Sequence, residues 1–171
     1  LFYGLKGEYM ATVVAVNAKG QAQAADSVSF TGITWNKVCD GKYKFCAKIA
    51  GIMGKESVDC ELDVDANNPS SYRIKNVYGQ GYNLKFKKAK SGSTDKEGNA
   101  FNYIVVPKFS TGLTYKTLGT VYMTDAYTLT GSADYLANGI YADNSLFIST
   151  VYSVSAGNIS VLENETFVPN N

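Results

Sequence analysis

The chain carries no histidine, so Ser-His-Asp and Cys-His nucleophilic catalysis by its own side chains are excluded. What could still do chemistry is a set of carboxylates, three thiols and many aromatic rings. Asp59, Glu61, Asp63 and Asp65 alternate along SVDCELDVD. Two acids flanking a cleft can hydrolyse a glycosidic bond. These four, however, share one face of a strand and oppose the lysines of KYKFCAKI, the pattern of a solvated, salt-laced face. Asp63-x-Asp65-x-Asn67 has the oxygen spacing that opens a calcium loop. Asn68 then stands where that loop needs glycine, and Ile74 where it needs a bidentate acid, so no metal ligands are assigned. Gly79-Gln80-Gly81 lacks the third glycine and following helix of a dinucleotide site, and there is no P-loop. No cofactor is expected. Asn158-Ile159-Ser160 and Asn164-Glu165-Thr166 fit the glycosylation sequon, a triplet that also arises by chance.

Cys39, Cys46 and Cys60 permit at most one internal disulfide and leave a thiol over. Whether any bridge forms is left open, with buried reduced thiols the simpler reading. The aromatic residues are the remaining signal, because Tyr and Trp present flat apolar faces with a polar edge that suit sugar rings and protein partners. Most of the thirteen tyrosines read as strand residues at the core boundary. Tyr78 and Tyr82 flank a glycine turn, where exposure is expected, and are candidate ligand-binding residues. Trp35 is a third, with packing at a domain joint as its simpler role.

The elements that must position these residues are strands. In Lys42–Ile49, Lys42, Lys44, Cys46 and Lys48 alternate with Tyr43, Phe45, Ala47 and Ile49, and the acidic run alternates against Val58, Cys60, Leu62 and Val64. With Gly51-Ile52-Met53-Gly54 as the turn, the pairing places Lys44 opposite Glu61 and Lys42 opposite Asp63. Tyr43 and Phe45 then share the apolar face with Leu62 and Cys60, while Cys46 lies on the charged face. Further strands are read at Tyr72–Val77, Tyr82–Lys88, Phe101–Val106, Gly119–Asp125, Gly139–Tyr141 with Ser145–Tyr152, and Glu165–Val168. Ala89–Asn99 reads as a mobile polar loop, and Ala126–Ala137 as a strand followed by a helical turn.

Sixteen Gly, thirteen Tyr and eight Phe with few helical periods give an all-β fold class: an antiparallel β-sandwich or barrel-like domain. Lys+Arg 16 against Asp+Glu 15 leaves a net charge of +1, which attracts neither nucleic acid nor an anionic membrane. No apolar run approaches the roughly 20 residues of a membrane-spanning helix. Leu1 stands in place of an initiator Met, so the chain reads as a processed or excised piece.

Residues 1–31 read as two strands around Ala18-Lys19-Gly20. The pattern Leu5-x-x-x-Tyr9 followed by Val13, Ala15 and Asn17 resembles the sixth strand of fibronectin type III and related immunoglobulin-like sandwiches. The resemblance implies that Tyr9 is the tyrosine-corner residue and Gln21–Phe30 the last strand. The division expected is 1–31, the end of an immunoglobulin-like domain, and 34–171, an antiparallel β domain. Without the missing strands, the edges of the first segment invite association with another copy of the chain.

From Asp59 to Gly79 the alternating acids, Asn-Pro-Ser, Tyr72-Arg73-Ile74-x-Asn76 and Tyr78-Gly79 are followed by Val105-Val106-Pro107 and Gly119-x-Val121-Tyr122. Together they resemble modules downstream of immunoglobulin-like domains in surface lipoproteins of gut Bacteroidetes. That resemblance implies an extracellular or outer-membrane surface location, tethered through parts outside this chain, and adhesion or capture of a glycan or protein partner without catalysis. Two alternatives stay open: a barrel around a small apolar ligand, and a structural spacer.

Overall fold

Residues 7–170 are described by the computed structural model. The first two strands, β1 (Gly7–Val16) and β2 (Ala22–Gly32), pair antiparallel and form a sheet of their own. Their turn is set by Asn17, whose Oδ1 accepts the N–H groups of Lys19 at 2.9 Å and Gln21 at 3.0 Å. Such an Asx bond replaces the backbone partners that a tight turn loses. Leu5, and the side chain of Tyr9 on which the tyrosine-corner reading rests, lie outside the described residues.

After Ile33-Thr34 the chain forms β3 (Trp35–Lys44), α1 (Ala47–Met53), β4 (Ser57–Asp65), β5 (Asn68–Ile74), β6 (Leu84–Thr94) and β7 (Ala100–Val105). It continues with β8 (Phe109–Thr114), β9 (Thr120–Asp125), α2 (Ala126–Thr130), β10 (Gly139–Tyr141), β11 (Leu146–Val154) and β12 (Gly157–Pro169). The protein is all-β and antiparallel, as its composition predicts. The pairings β3–β4–β5–β6–β7–β10–β11–β12 return to β3, because β10 bonds to both β7 and β11 and β12 bonds to β3. This ring is a closed up-and-down barrel, and closure removes the edges that an open sheet would expose.

The hairpin β8–β9 interrupts the meander. It adds to β11 at Thr150–Ser153, beyond the point where β10 pairs with that strand at Leu146 and Phe147. Inside the ring, Tyr43, Leu62, Ile74, Leu84, Phe86, Ile104, Ile148, Tyr152 and Phe167 belong to one core and are almost wholly shielded from solvent. A barrel of this strand number is just wide enough for side chains to fill or for one small ligand, and here these large side chains occupy it.

The antiparallel order assigns the connections to two ends. One end carries the tight hairpins at 66–67, 95–99 and 142–145, together with Trp35 at the start of β3. The other carries α1, the 75–83 loop, the β8–β9 hairpin and α2.

Several sequence expectations are corrected. β3 ends at Lys44, and Ala47–Met53 is helical, where a continuous strand to Ile49 and a glycine turn are expected. The helix stops at Gly54, which takes φ 69° and returns its N–H to the Ala50 carbonyl, a left-handed cap that glycine adopts without penalty. Because this connection is a helix, Lys44 lies opposite Ser57 and Lys42 opposite Asp59, not opposite Glu61 and Asp63. The slip is even, so the facing survives: Tyr43 and Phe45 are buried, Lys42 and Lys44 exposed. Cys46, expected on the charged face, is buried at the N-cap of α1.

Ala89–Asn99 is not a loop throughout. β6 runs on to Thr94, bulges between Lys88 and Gly92, and meets β7 at Ser93↔Phe101. Asp95 Oδ1 accepts the N–H groups of Glu97 and Asn99 to close that hairpin. Ala126–Thr130 is helix rather than strand, capped by the Asp125 carboxylate, which accepts the Thr128 N–H at 2.7 Å. The terminal strand begins at Gly157, well before Glu165.

Candidate functional site

The acids that alternate along β4 are consumed by structure. Lys75 Nζ lies 2.6 Å from Glu61, Lys42 Nζ 3.2 Å from Asp59, and Lys37 bridges Asp40 at 2.7 Å and Glu61 at 3.8 Å. The Lys75 ammonium holds the Glu61 carboxyl below its ordinary range. Arg73 Nε donates to the buried Asp63 at 2.7 Å, and its guanidinium lies 4.6 Å from the centre of the Trp35 ring. Asp65 Oδ1 accepts the Asn67 N–H of the hairpin turn. The face is salt-laced as the alternation predicts, but with other partners. Of the lysines expected to pair only Lys42 does, with Asp59, while Glu61 takes Lys75 and Lys37, and Asp63 is buried against Arg73 rather than solvated. Trp35 is half-buried, one ring face taken by Arg73, at the barrel end remote from α1.

The glycine-turn tyrosines lie at the other end, with different exposures. Tyr78, expected to be exposed, is buried: its ring meets Phe45 and Phe109, and its hydroxyl is 2.8 Å from that of Tyr152. The 75–83 loop folds inward under β8, which is why a turn residue enters the core. Tyr82 is 42% exposed and lays its ring over Gly112. A Cβ on Gly112 would stand 2.3 Å from that ring, and φ there is +75°, so only glycine lets β8 close over the loop. Both tyrosines therefore hold the β8–β9 hairpin down; Trp35 is not brought to them.

Beneath this cap is a buried polar cluster that the sequence does not announce. Glu165, wholly shielded, accepts Tyr43 Oη at 2.6 Å and Tyr152 Oη at 2.7 Å on one oxygen, and the Cys46 N–H at 3.0 Å on the other. Burial raises the Glu165 carboxyl above its ordinary value, against the pull of these donors. Burial likewise pushes the Cys46 thiol up to about 12, with the Glu165 charge adding to the effect. A thiol so raised stays protonated and is a poor nucleophile. Cys60, pushed up to about 12 by its own burial, is equally inert, and all three cysteines are free. The cluster ties β3, β11, β12 and the start of α1 together.

Where α1 and the β8 hairpin meet over the barrel mouth, they leave a groove of about 670 Å³. One wall is Ala47, Lys48, Gly51 and Ile52 of α1. The other is Thr114, Tyr115 and Lys116 at the end of β8, with Glu163 of β12 also lining it. The Lys48 ammonium lies 5.5 Å and the Lys116 ammonium 5.4 Å from the centre of the Tyr115 ring. Both sit within the range in which the ring quadrupole attracts a cation.

Four non-glycine residues of the described chain have positive φ: Asn76, Lys116, Asn144 and Leu162. Asn tolerates this region, whereas Lys and Leu are strained in it. The two strained residues are Lys116, in the groove, and Leu162, the extra residue of the β12 bulge beside Glu163. Lys116 lines the groove and Leu162 adjoins Glu163, which lines it; strained residues of this kind recur at ligand clamps and switch regions. Clefts at barrel mouths are also where such folds bind ligands.

A second aromatic group, Phe101, Tyr103, Tyr141 and Phe147, is half-buried across β7, β10 and β11. Its rings turn edge to face on one another, with Phe101 5.1 Å from Phe147 and 5.8 Å from Tyr141. Tyr141 Oη donates to Asp95 at 3.0 Å. Those ring faces are spent on each other.

The groove residues were not legible in advance. Lys48 reads as one of a strand's lysines until the helix is known, and Tyr115-Lys116 carries no motif. The available signal was Gly54 as a helix stop after Ala-Lys-Ile-Ala. No family model, curated protein or solved structure matches the chain.

Proposed function

We propose that this chain is a non-catalytic binding module of an extracellular or outer-membrane surface, and that it captures a glycan or protein ligand in the groove between α1 and the β8 hairpin. The single observation that carries this reading is the groove itself: an open, amphipathic cleft of about 670 Å³ at the mouth of a filled barrel, with strained backbone at its rim. The groove mixes the apolar surface of Ala47, Gly51 and Ile52 with the charged Lys48, Lys116 and Glu163, the mixture that fixes a small ligand by contact area and orients it by polar bonds. Binding without turnover fits the side chains at hand. The β4 acids Asp59, Glu61 and Asp63 are paired to basic side chains, and Glu165 is sealed under the cap with its donors.

Gly51 offers a direct test, because a side chain added there meets no atom within 4 Å and would project from a helix that tolerates it. The experiment is a glycan-array and peptide-array screen of the wild type and of Gly51→Trp, with hits remeasured by calorimetry. Hits whose affinity falls at least tenfold in Gly51→Trp support the reading. Hits that bind both proteins equally overturn the groove as the site, and no hit on either array overturns the binding reading.

A further inference from the structure

Resting on that reading of the groove, we infer that its ligand is an anionic glycan, whose carboxylate or sulfate is taken between the Lys48 and Lys116 ammoniums while an apolar sugar face lies on the α1 wall. Three observations lead here. Neither Lys48 nor Lys116 has an acidic partner among the described residues, and both line the same groove. Both ammoniums are held to the same Tyr115 ring, at 5.5 and 5.4 Å, so their positions are set before a ligand arrives. Preorganised donors lose less side-chain entropy on binding than free lysines do.

The backbone contributes too. Lys116 keeps φ at +49°, a left-handed conformation that costs a lysine energy and aims its side chain back over Tyr115 rather than along the strand. Glu163 keeps its negative charge at the groove, with Oε1 accepting the Ser160 hydroxyl at 2.7 Å on β12, and it forms no ion pair with Lys48 or Lys116 among the described residues. It supplies an acceptor at the groove for a sugar hydroxyl. On the α1 wall, beside Lys48, Ala47, Gly51 and Ile52 present apolar surface with no bulky side chain at Gly51. A pyranose ring has one such apolar face and a polar edge. An acidic pyranose therefore lays its apolar face on the α1 patch while its acid group reaches the two ammoniums, whereas a neutral one leaves both ammoniums without a partner. Carboxylate and sulfate share this chemistry, and the sugars bearing them are separated by experiment.

The test measures binding of three oligosaccharide sets of equal length, neutral, uronate-containing and sulfated, to the wild type, to Lys48→Met/Lys116→Met and to Gly51→Trp. Methionine keeps the stem length and removes the charge; Lys116 is exposed and Lys48 half-buried, and neither forms an ion pair among the described residues, so no acid loses a partner, and circular dichroism checks that the fold is retained. The inference expects one or both acidic sets to bind at least tenfold tighter than the neutral set. It also expects that margin to vanish in the double Met variant and to shrink as salt is raised, since exposed charges are screened. Which acidic set binds more tightly assigns carboxylate or sulfate. Neutral sugars binding as well as acidic ones, with affinity lost only in Gly51→Trp, would overturn the inference and leave the groove reading standing. Acidic sugars bound equally by all three proteins overturn both.

Discussion

At the scale of single residues, Glu165 is the position with the most at stake. A carboxylate with no exposure survives because Tyr43, Tyr152 and the Cys46 N–H satisfy it. Glu165→Gln keeps the shape but exchanges one acceptor oxygen for an NH₂ group, so one donor of the cluster loses its partner. Stability should fall by about 1–3 kcal/mol, the usual cost of an unsatisfied buried polar group. The pH dependence follows from the raised carboxyl. A folded-state value above the unfolded 4.5 means that the native state holds the proton more tightly. Stability from this group is present below the unfolded value and declines as pH rises from there through the folded one. Urea denaturation across that window should show a decline in the wild type that is absent in Glu165→Gln. An identical slope in both proteins would assign the dependence elsewhere. Nothing in Asn-Glu-Thr announces this role: its surroundings come from residues 43, 46 and 152, which only the closed ring brings together.

Among the elements, alternation was readable and connection lengths were not. Tyr43, Phe45 and Leu62 face inward as a period of two requires, and Asp59 and Glu61 face lysines as charge pairing requires. The partner register was missed because Ala47–Met53 has the same mixed apolar character in a strand as in a short helix, and only packing over the barrel mouth decides between them. Likewise Lys-Ser-Gly-Ser-Thr looks like a loop, yet β7 supplies its hydrogen bonds. The element-scale prediction compares the two faces. Leu62→Ala should cost roughly 2–5 kcal/mol, because a fully buried methyl-rich side chain leaves a cavity in a filled ring. Lys42→Ala, opposite Asp59 on the wet face, should cost no more than ~1 kcal/mol. Thermal or chemical unfolding of the two variants checks the order, and an equal cost would contradict the assignment of faces.

For the molecule as a whole, the all-β class followed from glycine, tyrosine and strand periodicity, but the closure of the ring did not. It depends on β10, three residues long, reaching β7 on one side and β11 on the other. Closure surrounds the core side chains and leaves a groove at the mouth, where α1 and the β8 hairpin meet. The aromatic residues singled out by sequence serve that cap or the opposite end: Tyr78 and Tyr82 under β8, Trp35 against Arg73. The groove is thus a product of topology, assembled from segments nearly seventy positions apart along the chain, Lys48 and Lys116. The most direct measurement of the central claim is a residue-resolved amide chemical-shift titration with an acidic oligosaccharide. The account predicts that the shifts concentrate at Ala47–Ile52, Thr114–Lys116 and Leu162–Glu163. Shifts centred instead on the Phe101, Tyr141 and Phe147 cluster, or on the lysines of β6, would contradict it.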